Sequence, residues 1–206
     1  MKILVACEES QCVTMELRRL GHEAYSCDIE PPSGGRPEWH IQGDVLPLLS
    51  QCWDMIIAFP PCTYLSNAGA CRLYPRKGEL DINRYHKGLA AKEFFLKFLN
   101  ADCPRIAVEN PVSSRIFEMP PHTQEIQPYM FGHPYTKKTR LWLKGLPPLT
   151  PTKLVEPIGP YITAGTGRKD HTKYGAAKRG EDAKNRSKTF IGIAKAMAEQ
   201  WTKERK

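Results

Sequence analysis

Apolar positions along the chain follow two spacings, one typical of strands and one typical of helices. Short apolar runs predict strands at residues 3–6, 23–29, 53–59, 105–108 and 139–143. Helical spacing predicts helices at residues 13–20, 84–100 and 189–201, with a short helical turn at 45–49. Strands that alternate with helices predict an α/β fold with a mostly parallel sheet and helices on both faces.

One domain is the simplest organisation for this chain. Its 206 residues are enough for a single core, and no internal repeat or low-complexity tract divides them. We therefore predict a single domain over residues 1–206. Residues 144–186 are rich in Pro, Gly and Lys, which predicts an irregular insert.

The net charge and the cysteine content limit the kinds of binding partner and the cellular compartment that the sequence favours. The 30 Lys and Arg against 22 Asp and Glu give a formal net charge of +8, which suits nucleic acid and also an anionic membrane surface. The seven cysteines form no C-x-x-C pair, which argues against a disulfide framework or a structural zinc site and predicts a cytoplasmic location. Neither a signal-peptide pattern nor an apolar run of the ~20 residues that span a membrane occurs.

Reactive and polar side chains stand where the predicted strands end. Cys7 follows the first strand, Asp28 lies near the end of the second, Cys62 follows the third, and Glu109 and Asn110 follow the fourth. Ligands of parallel sheets bind at the carboxyl ends of the strands. We therefore expect these side chains to share one edge of the sheet.

Pro60 and Pro61 lie between the third apolar run and Cys62. Prolines fix the backbone angle φ and remove amide donors, so the chain leaves the sheet in a stiff, defined direction. Cys62 then has two interpretations: a buried core cysteine, as most free cysteines are, or a positioned nucleophile. The prolines favour the nucleophile, because a core residue needs no rigid exit.

Glu109 has a similar pair of interpretations. An acid before Asn-Pro is commonly a surface carboxylate at the start of a turn. On the same sheet edge as Cys62, it would instead be the acid that accompanies a nucleophile.

These motifs resemble those of the DNA (cytosine-5)-methyltransferase family, and the chain looks similar to its short phage-type members. Pro-Pro-Cys at 60–62 and Glu-Asn at 109–110 are the specific motifs. Weaker matches follow in the family's order at residues 4–9 (cofactor loop), 26–30 (acidic strand end), 42–45 (Gly-Asp), 136–140 (basic motif) and 187–201 (final motif). The resemblance implies a Rossmann-like S-adenosylmethionine-dependent methyltransferase fold.

For catalysis, the resemblance implies covalent activation of cytosine. Cys62 would add to carbon 6 of the ring, and a protonated Glu109 would hydrogen-bond the ring nitrogen and the exocyclic amine. Lys138 and Arg140 would supply positive charge near the base and the phosphate.

The resemblance also implies S-adenosylmethionine as the methyl donor, and no metal ion. The residues that would bind this cofactor are Ala6, Cys7, Glu8, Asp28, Ile29, Asp44, Val45 and Pro60. Asp28 would accept from the ribose hydroxyls and Asp44 from the adenine amine. Without the resemblance, both are better interpreted as loop or capping carboxylates.

DNA is the implied partner, with the target cytosine flipped out or unpaired. The residues that would contact it are Pro61, Ser66, Asn110, Thr136, Arg168, Lys169, Lys173, Lys178 and Arg179. The insert at 144–186 stands where the family has a target-recognition region, here reduced to a short basic loop, which predicts low sequence specificity. A solvated loop without a partner is the alternative interpretation of the insert.

Three functions stay open at this point. The first is an active DNA cytosine methyltransferase. The second is a nucleic-acid-binding protein of the same fold without catalysis, since Cys7-Glu8-Glu9-Ser10 stands where the family has glycines. The third is methyl transfer to RNA or to a free nucleotide. The sequence predicts no oligomeric state.

Overall fold

The computed structural model describes residues 1–70, 72–161 and 187–203. Within them, one seven-stranded sheet has the order β3-β2-β1-β4-β5-β7-β6. The strands are β1 (Lys2–Ala6), β2 (Glu23–Asp28), β3 (His40–Gln42), β4 (Met55–Ala58), β5 (Ile106–Pro111), β6 (Gln124–Ile126) and β7 (Thr139–Lys144). Strands β1 to β5 pair in parallel, whereas β7 runs antiparallel to both β5 and β6.

Four helices accompany the sheet in the described part of the chain: α1 (Cys12–Arg19), the single turn α2 (Asn67–Ala70), α3 (Ile82–Leu99) and α4 (Ile191–Trp201). Short 3₁₀ turns complete the connections. No described helix has the length and apolar character needed to cross a membrane. The predicted α/β, Rossmann-like architecture with a mostly parallel sheet is confirmed.

Strand β1 shows why helices cover both faces. Successive side chains of a strand point to opposite sides, so Ile3 and Val5 pack into one buried cluster while Leu4 and Ala6 pack into another. The first cluster contains the apolar residues of α1 and α4, and the second contains Phe95 and Phe98 of α3. Strands buried on both sides are apolar throughout, which explains the continuous runs in the sequence.

Two strands were missed by the sequence analysis. β3 and β6 have three residues each and lie at the two edges of the sheet. Neither carries an apolar run, because an edge strand is only partly buried and its place is set by backbone pairing.

Strand β5 is longer than the pattern predicts, and this changes the place of two site residues. The apolar run ends at Val108, but pairing with β7 continues through Glu109, Asn110 and Pro111. Glu109 and Asn110 are therefore held in a strand and do not start a turn, which corrects the expectation that the strand closes before them.

Candidate active site

The candidate site lies at the carboxyl edge of the sheet, where β1 and β4 are neighbours. The chain leaves β1 toward α1 on one face and leaves β4 toward α3 on the other, so a crevice opens between the two strand ends. Cys7 follows β1, Asp28 ends β2, Cys62 follows β4 and Glu109 lies near the end of β5, so these four residues stand at the same edge of the sheet.

The Pro-Pro-Cys turn presents Cys62 at this edge. Pro60 is buried, Pro61 is exposed, and Cys62 is half-buried. The carbonyl of Cys62 accepts hydrogen bonds from the amides of Leu65 at 3.1 Å and Ser66 at 2.9 Å. Cys62 is thus fixed in a tight turn and is only partly buried.

Arg84 of α3 fastens the turn that follows Cys62. Its guanidinium donates to the carbonyl of Thr63 at 3.2 Å and to that of Gly69 at 3.0 and 3.2 Å, and it lies 4.9 Å from the ring centroid of Tyr64. Glycine at position 69 lets the backbone of this turn pack against Thr63, since a Cβ there would lie 2.1 Å from the Thr63 carbonyl oxygen.

Glu109 is the acid beside Cys62. It belongs to β5, the neighbour of β4, and desolvation of its carboxyl raises its pKa, an effect that Lys137 opposes. Burial first and the charge of Glu109 second raise the pKa of the Cys62 thiol, which Lys137 again opposes. The structure therefore brings together the two residues that the sequence predicted as nucleophile and acid.

A small cavity adjoins Glu109 on the α4 face of the sheet. It encloses about 30 Å³, roughly the room of one water molecule. Its walls are Phe59, Glu109, Lys137, Thr139, Ser187, Lys188, Thr189, Phe190, Ile193 and Met197. The sequence analysis selected only Glu109 from this set, although residues 187–201 had been matched to a motif beside the first strand.

Lys138 and Arg140 lie elsewhere than expected. Their nitrogens are 3.1 and 3.5 Å from the two carboxylate oxygens of Glu125 on β6. Because strand side chains alternate, Arg140 shares a side with its partner Asn110, while Glu109 and Thr139 lie on the opposite side. Both cations are therefore paired with Glu125 in this structure, and their role near the base and the phosphate stays a prediction.

The residues predicted to contact the substrate differ in their solvent exposure. Asn110 is fully buried and donates to the carbonyl of Pro111 at 2.8 Å and to Ser113 Oγ at 2.9 Å, and Ser66 is 7% exposed. Both side chains therefore lie within the turns around the site, and their contact with substrate stays a prediction. Pro61 is exposed and Thr136 is half-buried, so their contact with substrate stays a prediction.

Two acids lie at the predicted cofactor side. Burial, followed by the charges of Asp28, Cys27 and Asp44, raises the pKa of the Cys7 thiol, which shows that these groups are close together. Asp28 Oδ1 accepts from the amide of Glu30 at 3.0 Å, and Asp44 Oδ1 accepts from that of Leu46 at 3.0 Å. One oxygen of each carboxylate is used in its own loop, as the alternative interpretation held, and the other is available for a ligand hydroxyl or amine.

The loop after β1 adopts glycine-like backbone without glycine. Cys7 has φ 58° and Gln11 has φ 57°, both in the left-handed region. Gln11 is fully buried, donates to the carbonyl of Arg36 at 2.8 Å and accepts from the Arg36 amide at 3.1 Å. These contacts hold the strained conformation that glycines would adopt freely, so the donor set and the loop shape both fit a nucleotide-type cofactor.

Other predicted cofactor residues have mixed placements. Ile29 is 74% exposed beside Asp28, as an apolar surface for a ring system would be. Ala6 is buried at the end of β1, and Pro60 is buried in the turn after β4. Val45 is 4% exposed and packs in the core on the α3 face of the sheet. The side chain of Val45 therefore serves packing, and contact of this residue with the cofactor stays a prediction.

Glu8 caps α1 in this structure. Its carboxylate accepts from the amide of Val13 at 2.6 Å, the amide of Thr14 at 3.2 Å and the Thr14 hydroxyl at 2.7 Å. Burial raises the pKa of Glu8 to about 7, against the effect of these hydrogen bonds. The side chain is therefore occupied with the helix, and contact of Glu8 with the cofactor stays a prediction.

Glu8→Ala should lower the free energy of unfolding by about 1–3 kcal/mol, because it leaves buried helix amides without an acceptor. Urea denaturation followed by circular dichroism measures this change. Glu30→Ala, at an exposed carboxylate on the same edge, is the control and should change stability by less than about 0.5 kcal/mol. Equal stability of the Glu8 variant and the wild type would contradict the capping role.

Five predicted substrate residues, Arg168, Lys169, Lys173, Lys178 and Arg179, lie outside the described residues, as does most of the 144–186 insert. Its first part, through residue 161, is described. There, the amide of Thr136 donates to the carbonyl of Gly159 at 2.9 Å, and the amide of Tyr161 donates to that of Thr136 at 3.0 Å. Residues 159–161 of the insert therefore pair with the segment that leads into β7.

Comparisons with known proteins find resemblances of low identity among solved structures. No protein-family model and no curated protein matches the chain. Among solved structures, it is similar to a protein described as a DNA modification methyltransferase encoded within an E. coli prophage (12% identity, TM-score 0.41). It is also similar to the Entamoeba histolytica methyltransferase EhMeth (14%, 0.48) and an rRNA methylase from Escherichia coli (14%, 0.37).

The matches cover 68%, 74% and 69% of this chain and 45%, 57% and 56% of those structures, respectively. This chain thus spans about half the length of each. Likenesses at these identities and TM-scores carry no argument about chemistry. The seven-stranded sheet with one reversed strand is consistent with the Rossmann-like fold of S-adenosylmethionine-dependent methyltransferases.

Proposed function

We propose that this protein methylates cytosine in DNA at carbon 5, with Cys62 as a covalent nucleophile and low sequence specificity. One observation carries the proposal: a half-buried thiol follows a rigid Pro-Pro turn at the end of β4, and a desolvated carboxyl lies on the neighbouring strand β5 at the same sheet edge. A thiol with a neighbouring acid is suited to addition to an electron-poor ring.

The residues would divide the chemistry as follows. The thiolate of Cys62 adds to carbon 6 while Glu109, in its protonated form, hydrogen-bonds ring nitrogen 3 and takes up the developing charge. Carbon 5 then has enamine character and accepts the methyl group. Loss of the carbon 5 proton to a base restores the double bond and expels the Cys62 thiolate. The raised pKa of Glu109 supports its role, because it keeps the acid form present at higher pH.

S-adenosylmethionine would supply the methyl group as a sulfonium. Asp28 and Asp44 are the acceptors that would hold its ribose and adenine, and Ile29 offers an exposed apolar surface next to them. In nucleotide-binding sheets, the end of the second strand is the usual place for an acid that binds the ribose hydroxyls, and Asp28 is at the end of β2. The reaction edge with Cys62 and Glu109 lies across the β1/β4 crevice from this group.

DNA is the proposed substrate, with the base flipped out or unpaired. The net charge of +8 supports a polyanionic partner. An edge of a sheet cannot reach carbon 6 of a stacked base, so the cytosine must leave the stack.

Mechanism-based trapping tests the proposal. The protein is incubated with S-adenosylmethionine and single- or double-stranded DNA that contains 5-fluorocytosine, and the product is analysed by peptide mass spectrometry. Fluorine at carbon 5 leaves no proton to remove after methylation, so the adduct with Cys62 should persist. Parallel incubations with RNA and with a free fluorocytosine nucleotide identify the substrate class.

An adduct on RNA or nucleotide alone would replace DNA as the substrate. Absence of any adduct, together with absence of labelled methyl transfer to ordinary DNA, would favour a binding protein without catalysis. Cys52→Ser is the matched control, because Cys52 is exposed and precedes β4, at the opposite end of that strand from the Pro-Pro turn, and it should trap normally.

Arg84→Met should lower kcat about tenfold to a hundredfold with a small change in stability, because the turn that carries Cys62 loses three hydrogen bonds. Lys87→Met is the control. Lys87 also lies over the Tyr64 ring, at 5.8 Å, but is exposed, and its loss should leave kcat within about twofold. Labelled methyl transfer measures both. Equal rates for the two variants would contradict the positioning role of Arg84.

A further inference from the structure

His133 caps the start of helix α4 from a distant part of the chain. The residue that precedes α4 is Phe190, whose ring offers no acceptor to the first amides of the helix. The amide of Gly192, the second residue of α4, donates instead to Nε2 of His133 at 3.0 Å. The two residues are 59 positions apart, so the fold makes this contact and not a local capping motif.

The backbone holds His133 in place for this hydrogen bond. The amide of His133 donates to the carbonyl of Pro128 at 3.1 Å, and its carbonyl accepts from the amide of Tyr135 at 2.7 Å. Glycine at position 192 lets the helix approach, since a Cβ there would overlap the carbonyl oxygen of Phe131 and lie 3.0 Å from His133 Nε2. The imidazole and the start of α4 are therefore in direct contact.

The same contact leads to the candidate active site. The ring of His133 packs on Phe190, with 5.0 Å between the ring centroids, and Phe190 is a wall of the cavity that adjoins Glu109. Ile193, which follows the capped amide, is another wall. Because packed side chains leave little free space, a shift at the start of α4 changes the shape of the cavity beside Glu109.

We propose that His133 is a positioning residue: as a neutral imidazole it caps α4 and thereby holds Phe190 and Ile193 as walls beside Glu109. Its effect on methyl transfer rests on the proposed function. The cap itself is measurable without catalysis, because it determines how well the first amides of α4 are protected from solvent.

Protonation of His133 should break the cap. An imidazole accepts at Nε2 only when it is neutral, because the imidazolium carries a donor on both nitrogens. Burial lowers the pKa of His133 from its ordinary value of 6.5. The contribution of the cap to stability is therefore complete above about pH 6.5 and is lost as the pH falls from there through the lower pKa of the folded protein.

The surroundings of the imidazole carry mostly positive charge. The charged and titratable groups on the segments near His133 are Lys188 and Lys195 on and before α4, Tyr135 and Lys137 before β7, Lys153 and Tyr161 in the insert, and Glu109 across the cavity. Cations and the positive end of a helix both disfavour the imidazolium. They therefore favour the neutral form that the cap requires.

Hydrogen exchange of the full chain tests the cap. Mass spectrometry follows the peptide that contains the start of α4 between pH 7.5 and 5, with rates corrected for intrinsic exchange. In the wild type, protection should fall about fivefold to tenfold with the pH, as expected for one lost hydrogen bond. His133→Leu should have the lower protection at every pH. His133→Gln, whose Oε1 can replace Nε2 as the acceptor, should keep the higher protection at every pH.

Methyl transfer at pH 7.5 tests the positioning of the site. His133→Leu should lower kcat about threefold to tenfold, and His133→Gln should stay within about twofold of the wild type. His122→Leu, at an exposed histidine before β6, is the matched control and should change neither protection nor kcat. Thermal unfolding confirms that each variant is folded.

The outcomes separate the cap from the reaction. Wild-type protection that does not change with pH, or equal protection in His133→Leu and the wild type, would overturn the cap. Lower protection in His133→Leu without a fall in kcat would overturn the positioning of the site. The expected exchange pattern in a protein that methylates no nucleic acid or nucleotide would support the cap and overturn the proposed function.

Discussion

Cys62→Ser should abolish methyl transfer, with a fall in kcat of at least about a thousandfold. The reaction depends on addition of a thiolate to carbon 6, and a serine hydroxyl is a far weaker nucleophile whose proton has no strong base beside it. Without this addition, carbon 5 does not gain enamine character, so no other group in the site can replace the thiol. Transfer of labelled methyl to DNA measures the change.

The serine variant should remain folded, since serine is close in size to cysteine and the half-buried position tolerates a hydroxyl. Cys52→Ser, at an exposed thiol, is the control and should keep wild-type activity. Methylation by Cys62→Ser at a rate within tenfold of the wild type would show that the chemistry is not covalent at this residue.

Glu109→Gln should lower kcat/KM about a hundredfold to a thousandfold, because the amide cannot supply a proton to ring nitrogen 3 as charge develops. Glu125→Gln is a matched control. Glu125 is also a strand carboxylate near the basic motif, but it pairs with Lys138 and Arg140 and should affect activity by less than about fivefold. Equal losses in the two variants would contradict the assignment of Glu109 as the acid.

The pH profile gives a second test of Glu109. The active form needs a thiolate and a protonated carboxyl, and burial raises both pKa values. In the wild type, kcat/KM should rise with pH as the Cys62 thiol ionises and fall at higher pH as the Glu109 carboxyl loses its proton. In Glu109→Gln only the thiol titrates, so kcat/KM should rise to a plateau without the fall. A fall at high pH that persists in the variant would exclude Glu109 as the group that titrates there.

Much of the fold was predictable because its causes are local. Short apolar runs and helical spacing placed five of the seven strands and the three longer helices within a few residues, since burial on two faces requires continuous apolar strands. The short edge strands β3 and β6 were not predictable, because backbone pairing and not side-chain burial holds them in place.

The position of a site residue was predictable where a motif fixes the backbone. The hydrogen-bond partners of the polar side chains were not predictable from the sequence. Pro60 and Pro61 determine how Cys62 leaves the sheet, so the sequence alone identified the nucleophile candidate. The carboxylate of Glu8 and the amide of Asn110 found partners within the protein, the first at the start of α1 and the second in the turn after β5. Such contacts depend on which loops meet in space.

The sequence by itself determined the order of strands and helices, the strand-end positions of the reactive residues, and the pairing of a cysteine motif with an acid motif. The tertiary structure decided which cation stands beside the acid. Lys137 and Lys138 have the same side chain and the same charge. Only the register of β7 against β5 and β6 directs the first to Glu109 and the second to Glu125. A side-chain period of two converts a shift of one residue into opposite faces of the sheet, so this choice is made by strand pairing.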